Sequence, residues 1–176
     1  MEQGMILYQS KYGSTKKYAH WLQENTGFGC MRTADASYKD VLPCTTIVLC
    51  GGVYASGIAG LSFLRKNSHK LKDKKIAVFC VGASPYDERA LLQLKEHNFR
   101  QDLNGLPLFY GRGAWNEGVM TWKDRTLCKM LQKALAKKDP ATYEPWMEGC
   151  MASVGQVRDW CDPSYLTPLL TYLQEG

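Results

Sequence analysis

Ser10, Ser14 and Thr15 place three hydroxyls around Gly13, where an apolar run ends and a helical pattern begins. Hydroxyls, a glycine that lets the backbone fold tightly, and the unpaired N–H groups and positive dipole end of the following helix together suit a phosphate. Lys16 and Lys17 stand in the first turn of that helix, where each cation opposes the dipole at a cost of roughly 0.3–1 kcal/mol. An anion held nearby removes the conflict. An ordinary helix cap followed by two surface lysines accounts for the same residues, and the turn alone does not choose between the two.

Other chemistry is thinly represented. The seven cysteines are an odd number with no C-x-x-C pair, so neither a disulfide framework nor a zinc site is expected. Cys50 falls near the predicted site but has no histidine close in sequence, and a packed thiol is the simpler reading. His20, His69 and His97 sit singly on helical patterns without ligand spacing, so no metal is expected. The turn fails as a P-loop, because its lysine follows Gly-Ser-Thr instead of sitting between glycine and the hydroxyl residue. It fails as a dinucleotide fingerprint, since only Gly13 is present. A receiver domain wants an acid after the third strand, where this chain has Cys50 and Gly51.

The elements that must hold the turn in place follow from periodicity. Residues 5–9, 46–50 and 75–81 are continuous apolar runs closed by Gly- or Ser-bearing turns, as in strands buried on both faces. Weaker strands are expected at 29–33 and 107–110. Helical stripes lie between them: Tyr18, Ala19, Trp21 and Leu22, then Ile58, Leu61, Leu64 and Leu71 with a break near Asn67. Ser84 and Asp87 read as a capping box with Pro85 at the first helical position, leading into Leu91, Leu92 and Leu94. Thr121 and Asp124 cap a helix with Leu127, Met130, Leu131 and Leu135 on one side and Lys123, Lys129, Lys133 and Lys137 as a wet face. Residues 139–161 show no clear period and read as an irregular covering loop. Thr167 is expected to cap a last helix with Pro168 at its first position, so that Leu169, Leu170, Tyr172 and Leu173 pack.

Strand and helix alternate through residue 110, which predicts an α/β sandwich around a parallel sheet. A chain of 176 residues suits one domain, 1–176, with an insertion at 111–122 before the next helix. No stretch reaches the ~20 apolar residues of a membrane span, and Met1 to Gln3 lead into a short apolar run with no basic leader, so a cytoplasmic address is expected. The formal charge of +5 allows an anionic partner, but solvated helix faces explain many of the lysines. No nucleic-acid partner is expected.

The stretch Ser10-Lys11-Tyr12-Gly13-Ser14-Thr15 resembles the [ST]-x-[ST]-G-x-T phosphate loop of flavodoxins, directly after the first strand as in that family. "LCGGVYASG" (49–57) looks like the second flavin loop and "VGASPYDE" (81–88) stands where the third belongs, so the resemblance runs along nearly the whole chain. "FYGR" (109–112) and the insertion after it are similar to the flavodoxin-domain group that includes the menaquinone-type protoporphyrinogen dehydrogenase. One departure is Tyr12, where flavodoxins often carry threonine.

The resemblance implies a flavodoxin-like three-layer sandwich with a five-stranded parallel sheet in the order 2-1-3-4-5, and FMN as cofactor. Its phosphate is then met by Ser10, Ser14, Thr15 and the amides of Lys11, Tyr12 and Gly13. Gly51, Gly52, Val53, Tyr54 and Ala55 form the second loop, with Tyr54 stacking on one ring face and the glycines permitting a backbone flip. Gly82, Ala83 and Ser84 offer amides to the pyrimidine edge, and Tyr86 stands at the other ring face. No side chain is assigned as catalytic acid or base, because the flavin carries the electrons.

Arg112 and Trp115, with Trp122, Lys123 and Arg125, either receive a flat anionic substrate such as a porphyrin, receive a quinone at a membrane surface, or only cover core. Three functions follow: an FMN-dependent oxidoreductase like the protoporphyrinogen dehydrogenase, an electron carrier between protein partners, or a cofactor-free domain that binds an anion or a partner. The oligomeric state is not legible.

Overall fold

The structure, a computed structural model, describes residues 3–175. Its strands are β1 (Gly4–Gln9), β2 (Gly29–Arg32), β3 (Thr46–Tyr54), β4 (Gly57–Ile58), β5 (Lys75–Gly82), β6 (Leu108–Arg112), β7 (Ala114–Trp115) and β8 (Arg158–Asp159). The helices are α1 (Ser14–Thr26), α2 (Tyr38–Val41), α3 (Leu61–Asn67), α4 (Glu88–Asn98), α5 (Trp122–Leu135), α6 (Pro145–Ala152) and α7 (Thr167–Gln174). Among the described residues five strands pair in parallel in the order β2-β1-β3-β5-β6, which is the expected 2-1-3-4-5 once the short β4 is set aside. β4 turns back antiparallel on the end of β3.

Alternate side chains of the central strands serve two cores, and for that reason the runs read as continuously apolar. Ile6, Val48, Cys50, Ala77 and Phe79 face α1 and α7, where Tyr18, Ala19, Leu22, Leu169 and Leu173 cover them. Leu7, Ile47, Leu49, Val78 and Cys80 face the other way, onto Leu61 and Leu64 of α3 with Leu91 and Leu94 of α4 at the margin. Each Val, Leu, Ile or Phe among them contributes about 1.5–3 kcal/mol on full burial, so the sheet is the rigid part from which loops are hung. Among the described residues no helix is long and apolar enough to cross a membrane.

Several helix starts differ from the sequence expectation. Asp87, not Ser84, caps α4, its Oδ1 accepting from Ala90 N at 2.8 Å. The Ser84 carbonyl is taken by the Tyr110 hydroxyl at 2.5 Å, which keeps 83–86 outside the helix, and a carboxylate serves the helix dipole better than a hydroxyl. Thr121 does cap α5, accepting from Asp124 N at 3.3 Å. Thr167 is not a cap: the chain enters α7 from a 3-10 turn, Pro163–Leu166, capped by Asp162 through Ser164 N at 2.8 Å. Asp162 and Pro163 thus provide the cap and starting proline that were assigned to Thr167 and Pro168.

The largest difference follows β6. The segments 111–122 and 139–161, read as an insertion and a loop, belong to one excursion that leaves and re-enters through the antiparallel pair β7 and β8, with Ala114 opposite Asp159 and Trp115 opposite Arg158. Residues 139–161 are not irregular throughout, since α6 lies within them. α5 and α6 close their own small core around Leu135, Met147 and Cys150. Of the predicted stripe on α5 only Leu135 is buried; Leu127, Met130 and Leu131 are exposed, because α7, not α5, returns to the sheet.

Candidate functional site

Strand order reverses between β1 and β3, and the crevice at the carboxyl ends of such strands is where ligands bind in open α/β sheets. Here that crevice is a cleft of about 910 Å³. Its walls are the turn after β1, the β3–β4 hairpin, the end of β5, one face of α4, and the excursion.

The turn after β1 is tightly built. Gly13 has φ +101°, in the left-handed region, and a Cβ there would meet nothing within 4 Å, so glycine is required for conformation and not for space. Its N–H donates to Ser10 Oγ at 3.1 Å. Among the described residues no side chain caps α1, and no acid lies in its first turn. Ser10, Ser14 and Thr15 all line the cleft, although Thr15 is only 3% exposed. Ser14 Oγ also accepts from Ala114 N at 3.0 Å, which fastens the foot of the excursion to this turn.

Of Lys16 and Lys17, which hinted at an anion, Lys17 finds an acid of the protein itself, and so does Lys11 inside the turn. Lys17 Nζ lies 3.0 Å from Asp159 Oδ2 on β8 and 5.1 Å from the Trp21 ring centroid. Lys11 Nζ bonds to Asp124 of α5, which also accepts from the Tyr12 hydroxyl. Those two bonds hold the Asp124 carboxyl below its ordinary range, and the one to Asp124 raises Lys11. The Tyr12 oxygen in turn accepts from Thr121 N at 3.2 Å. Both partner acids lie on the excursion.

In the second loop Val53, Tyr54 and Ala55 line the cleft, but Gly51 and Gly52 do not form a turn beside it. Both lie within β3. A Cβ on Gly51 would come 2.1 Å from the Ala59 carbonyl oxygen, and one on Gly52 would come 2.7 Å from the Tyr54 ring. Their role is to admit the returning hairpin and that ring. The turn itself is Ala55-Ser56, with φ of +46° and +64°, a two-residue hairpin in which both central residues are left-handed, as in type I′. Such strain in residues other than glycine costs of order 1–3 kcal/mol each and persists only where neighbours enforce it. Asn98, buried at the end of α4, is the enforcer: Oδ1 accepts from Ile58 N at 3.0 Å and Nδ2 donates to Ser56 O at 2.8 Å. Nothing local in the sequence marks Asn98 or Ser56. The Tyr54 hydroxyl accepts from Lys11 N at 3.2 Å, so its ring is a wall fixed at both ends.

In the third loop Gly82, Ala83 and Ser84 line the cleft. The Gly82 carbonyl accepts from Gly113 N at 2.7 Å and the Ala83 carbonyl from Arg112 Nε at 3.0 Å. In planar trans peptides the N–H points opposite to the C=O, so the amides of Ala83 and Ser84 are turned away from those partners. Tyr86 is exposed and does not line the cleft; its ring lies 6.3 Å from that of Tyr110. The aromatic side chains on the excursion side of the cleft are Trp115 and Trp146. Arg112 is also outside the lining: its guanidinium lies 3.9 Å above the Trp160 ring, and Tyr18 donates to its carbonyl at 2.6 Å.

Beyond these loops the cleft widens between α4 and the excursion, lined by Leu91, Leu94, Leu127, Leu131, Trp146 and Cys150. Asp87, His97 and Asp124 are its ionisable side chains apart from tyrosines and cysteines, and among the described residues no lysine or arginine lines it. Cys128 and Cys150 face it with thiols pushed up mainly by burial. Cys50 is fully buried in the sheet, its thiol raised by the same cause. Among the described residues no cluster of metal-ligating side chains occurs. On the excursion side Trp115, a substrate candidate from the sequence, does line the cleft; Leu127 and Leu131 were missed because they read as a packing stripe, and Trp146 and Cys150 because 139–161 read as an irregular covering loop.

Solved structures with similar folds include the flavodoxin of Megasphaera elsdenii in its two-electron reduced form (21% identity, 61% of this chain and 82% of that chain, TM-score 0.47). Another is a putative flavoprotein of Bacteroides eggerthii (13% identity, 78% of this chain and 100% of that chain, TM-score 0.49). A third is a flavoprotein of Lactobacillus acidophilus in complex with FMN (16% identity, 64% of this chain and 93% of that chain, TM-score 0.43). No curated protein matches the chain. A family model described as a flavodoxin domain matches residues 5–142, which takes in all three loops and the sheet. The chain belongs to the flavodoxin domain family.

Proposed function

We propose that the chain binds FMN in this cleft and acts as a flavin-dependent oxidoreductase on a small flat substrate. The observation that carries the reading is the convergence, at the point where strand order reverses, of an uncapped helix start with Ser10, Ser14 and Thr15, the Tyr54 wall, and the Ala83 and Ser84 amides. This donor set fits the group: hydroxyls and amides suit a phosphate, a fixed aromatic wall suits a planar ring, and the two amides suit the ring's polar edge. When bound, FMN supplies hydride or single-electron chemistry. The chain's own residues bind and orient it, and the apolar faces of α4 and α5 keep water from the reacting edge.

The substrate is placed in the compartment between α4 and the excursion. A porphyrinogen, as for the protoporphyrinogen dehydrogenase, and a quinone are both flat enough, but the lining favours the uncharged ring. Arg112 is engaged by Ala83 and Trp160, and Arg125 is bonded to the carbonyls of Glu117, Gly118 and Met120, so neither is placed to receive carboxylates. A quinone drawn from a membrane surface agrees with the exposed Trp122 and Met130 on α5 beside its lysines. The test is to titrate purified protein with FMN and then assay reduction of a soluble quinone against oxidation of a porphyrinogen. Saturable FMN binding with quinone turnover supports the reading. Absence of FMN binding returns the domain to a cofactor-free anion or partner binder, and turnover with a protein partner alone makes it a carrier.

A further inference from the structure

Resting on the FMN reading, we propose that Asp124 is an internal counter-anion that competes with the cofactor's phosphate for the turn after β1 and so determines how strongly the site selects FMN over a flavin without a phosphate. Asp124 sits in the first turn of α5, yet its carboxylate reaches across the cleft mouth to two consecutive residues of the turn, Lys11 and Tyr12. The bond from Thr121 N to the Tyr12 hydroxyl holds the same helix end to the same place at 3.2 Å. Asp124 lines the cleft together with Ser10, Ser14 and Thr15.

The sequence places Lys11, Lys16 and Lys17 in and just after a turn that suits an anion, and the excursion answers two of them with carboxylates, Asp124 and Asp159. Asp159 has a structural duty as well, accepting from Cys161 N at 2.9 Å. Asp124 bonds to Lys11 and Tyr12 of the turn and to Thr121 of its own helix cap.

A phosphate entering the turn carries roughly −1.5 to −2 charges near neutral pH. It finds Lys11, the lysine inside the turn, and the Tyr12 hydroxyl already committed to an anion of the same sign. Two anions drawn to the same lysine and hydroxyl repel. Cofactor loading therefore works against the contact that seats α5, and α5 also carries Leu127 and Leu131 of the substrate compartment. The latch raises the cost of the phosphate; Asp124 bonds Lys11 and Tyr12 and not the ring contacts at Ala83 and Ser84, and the Lys11 backbone N–H keeps its bond to the Tyr54 hydroxyl whichever anion its ammonium meets.

The experiment compares FMN and riboflavin, which share the ring and differ in the phosphate, by quenching of flavin fluorescence on the wild type, Asp124→Asn and Asp124→Ser. Removing the charge is expected to tighten FMN about tenfold and leave riboflavin unchanged, so that the ratio of the two dissociation constants shifts. An unchanged ratio, or FMN weakened relative to riboflavin, overturns the proposal. Should Asp124→Asn bind neither flavin, Asp124→Ser decides by the same ratio. Wild-type protein that binds neither flavin overturns the FMN reading and this proposal together, whereas wild-type binding with an unchanged ratio in the variants overturns the latch alone.

Discussion

α7 and α5 both follow β6, both carry a regular apolar stripe, and they end in opposite situations. On α7, Leu169 is fully buried and Leu173 is 8% exposed against the sheet. On α5, Leu127, Met130 and Leu131 are 64%, 63% and 40% exposed, and the helix rests on a small core shared with α6 and on polar bonds from Lys11 and Tyr12. The body is held by burial, which is cooperative and hard to open; the excursion is held by a two-stranded neck and a few exposed contacts, which open at low cost. The proposed flavin site calls for both, a stiff frame for the cofactor and a cover that admits the second reactant.

The sharpest way to break the contrast is Leu169→Ala, expected to cost about 3 kcal/mol by emptying the core under the sheet, read as a fall in the denaturant midpoint. Next is Thr15→Glu, which puts an acid into the frame where the proposed phosphate site lies. It is expected to weaken FMN by about a hundredfold or more in a fluorescence titration; because Thr15 is buried the unfolding midpoint is expected to fall as well, so the titration is read on protein shown to be folded by circular dichroism. Asn98→Ala strips the clamp from a strained hairpin and leaves Ile58 N without its acceptor, a loss of about 1–3 kcal/mol. Faster amide exchange confined to 54–58 is the localised sign that distinguishes it. Leu131→Ala belongs at the other end of the scale: being exposed, it is expected to change stability by less than about 0.5 kcal/mol while altering the KM of any substrate held under the cover. If Leu131→Ala destabilised the protein as much as Leu169→Ala, the division into frame and cover would be wrong.

Much of the frame was legible in the sequence, for a physical reason. A strand buried on both faces has to be apolar at successive positions, and 46–50 and 75–81 satisfy that condition by composition alone. The turn at Ser10–Thr15 was legible because its residue types act locally, through hydroxyls, a left-handed glycine and a helix start. The cover was not. A 3.6-residue stripe announces that a helix has an apolar face but not what lies opposite, and for α5 the opposite wall is a cleft. Gly51 and Gly52 read as a turn because glycine pairs commonly are one, whereas here the need for them comes from Ala59 and Tyr54 pressing on the strand. Asn98 acts on residues 40 and 42 positions away, a separation at which no local pattern carries information.

The pairing of Ala114 with Asp159 brings the two ends of the excursion side by side at the rim of the sheet. Chain let out between such neighbours leaves the strand order unaffected whatever its length, since closing a longer loop adds little entropy. The rim is thus a port where the lid can be exchanged: a shorter hairpin, a helix of different polarity or a reporter segment grafted between β7 and β8 would retune which molecules reach the cleft while the scaffold beneath stays as it is.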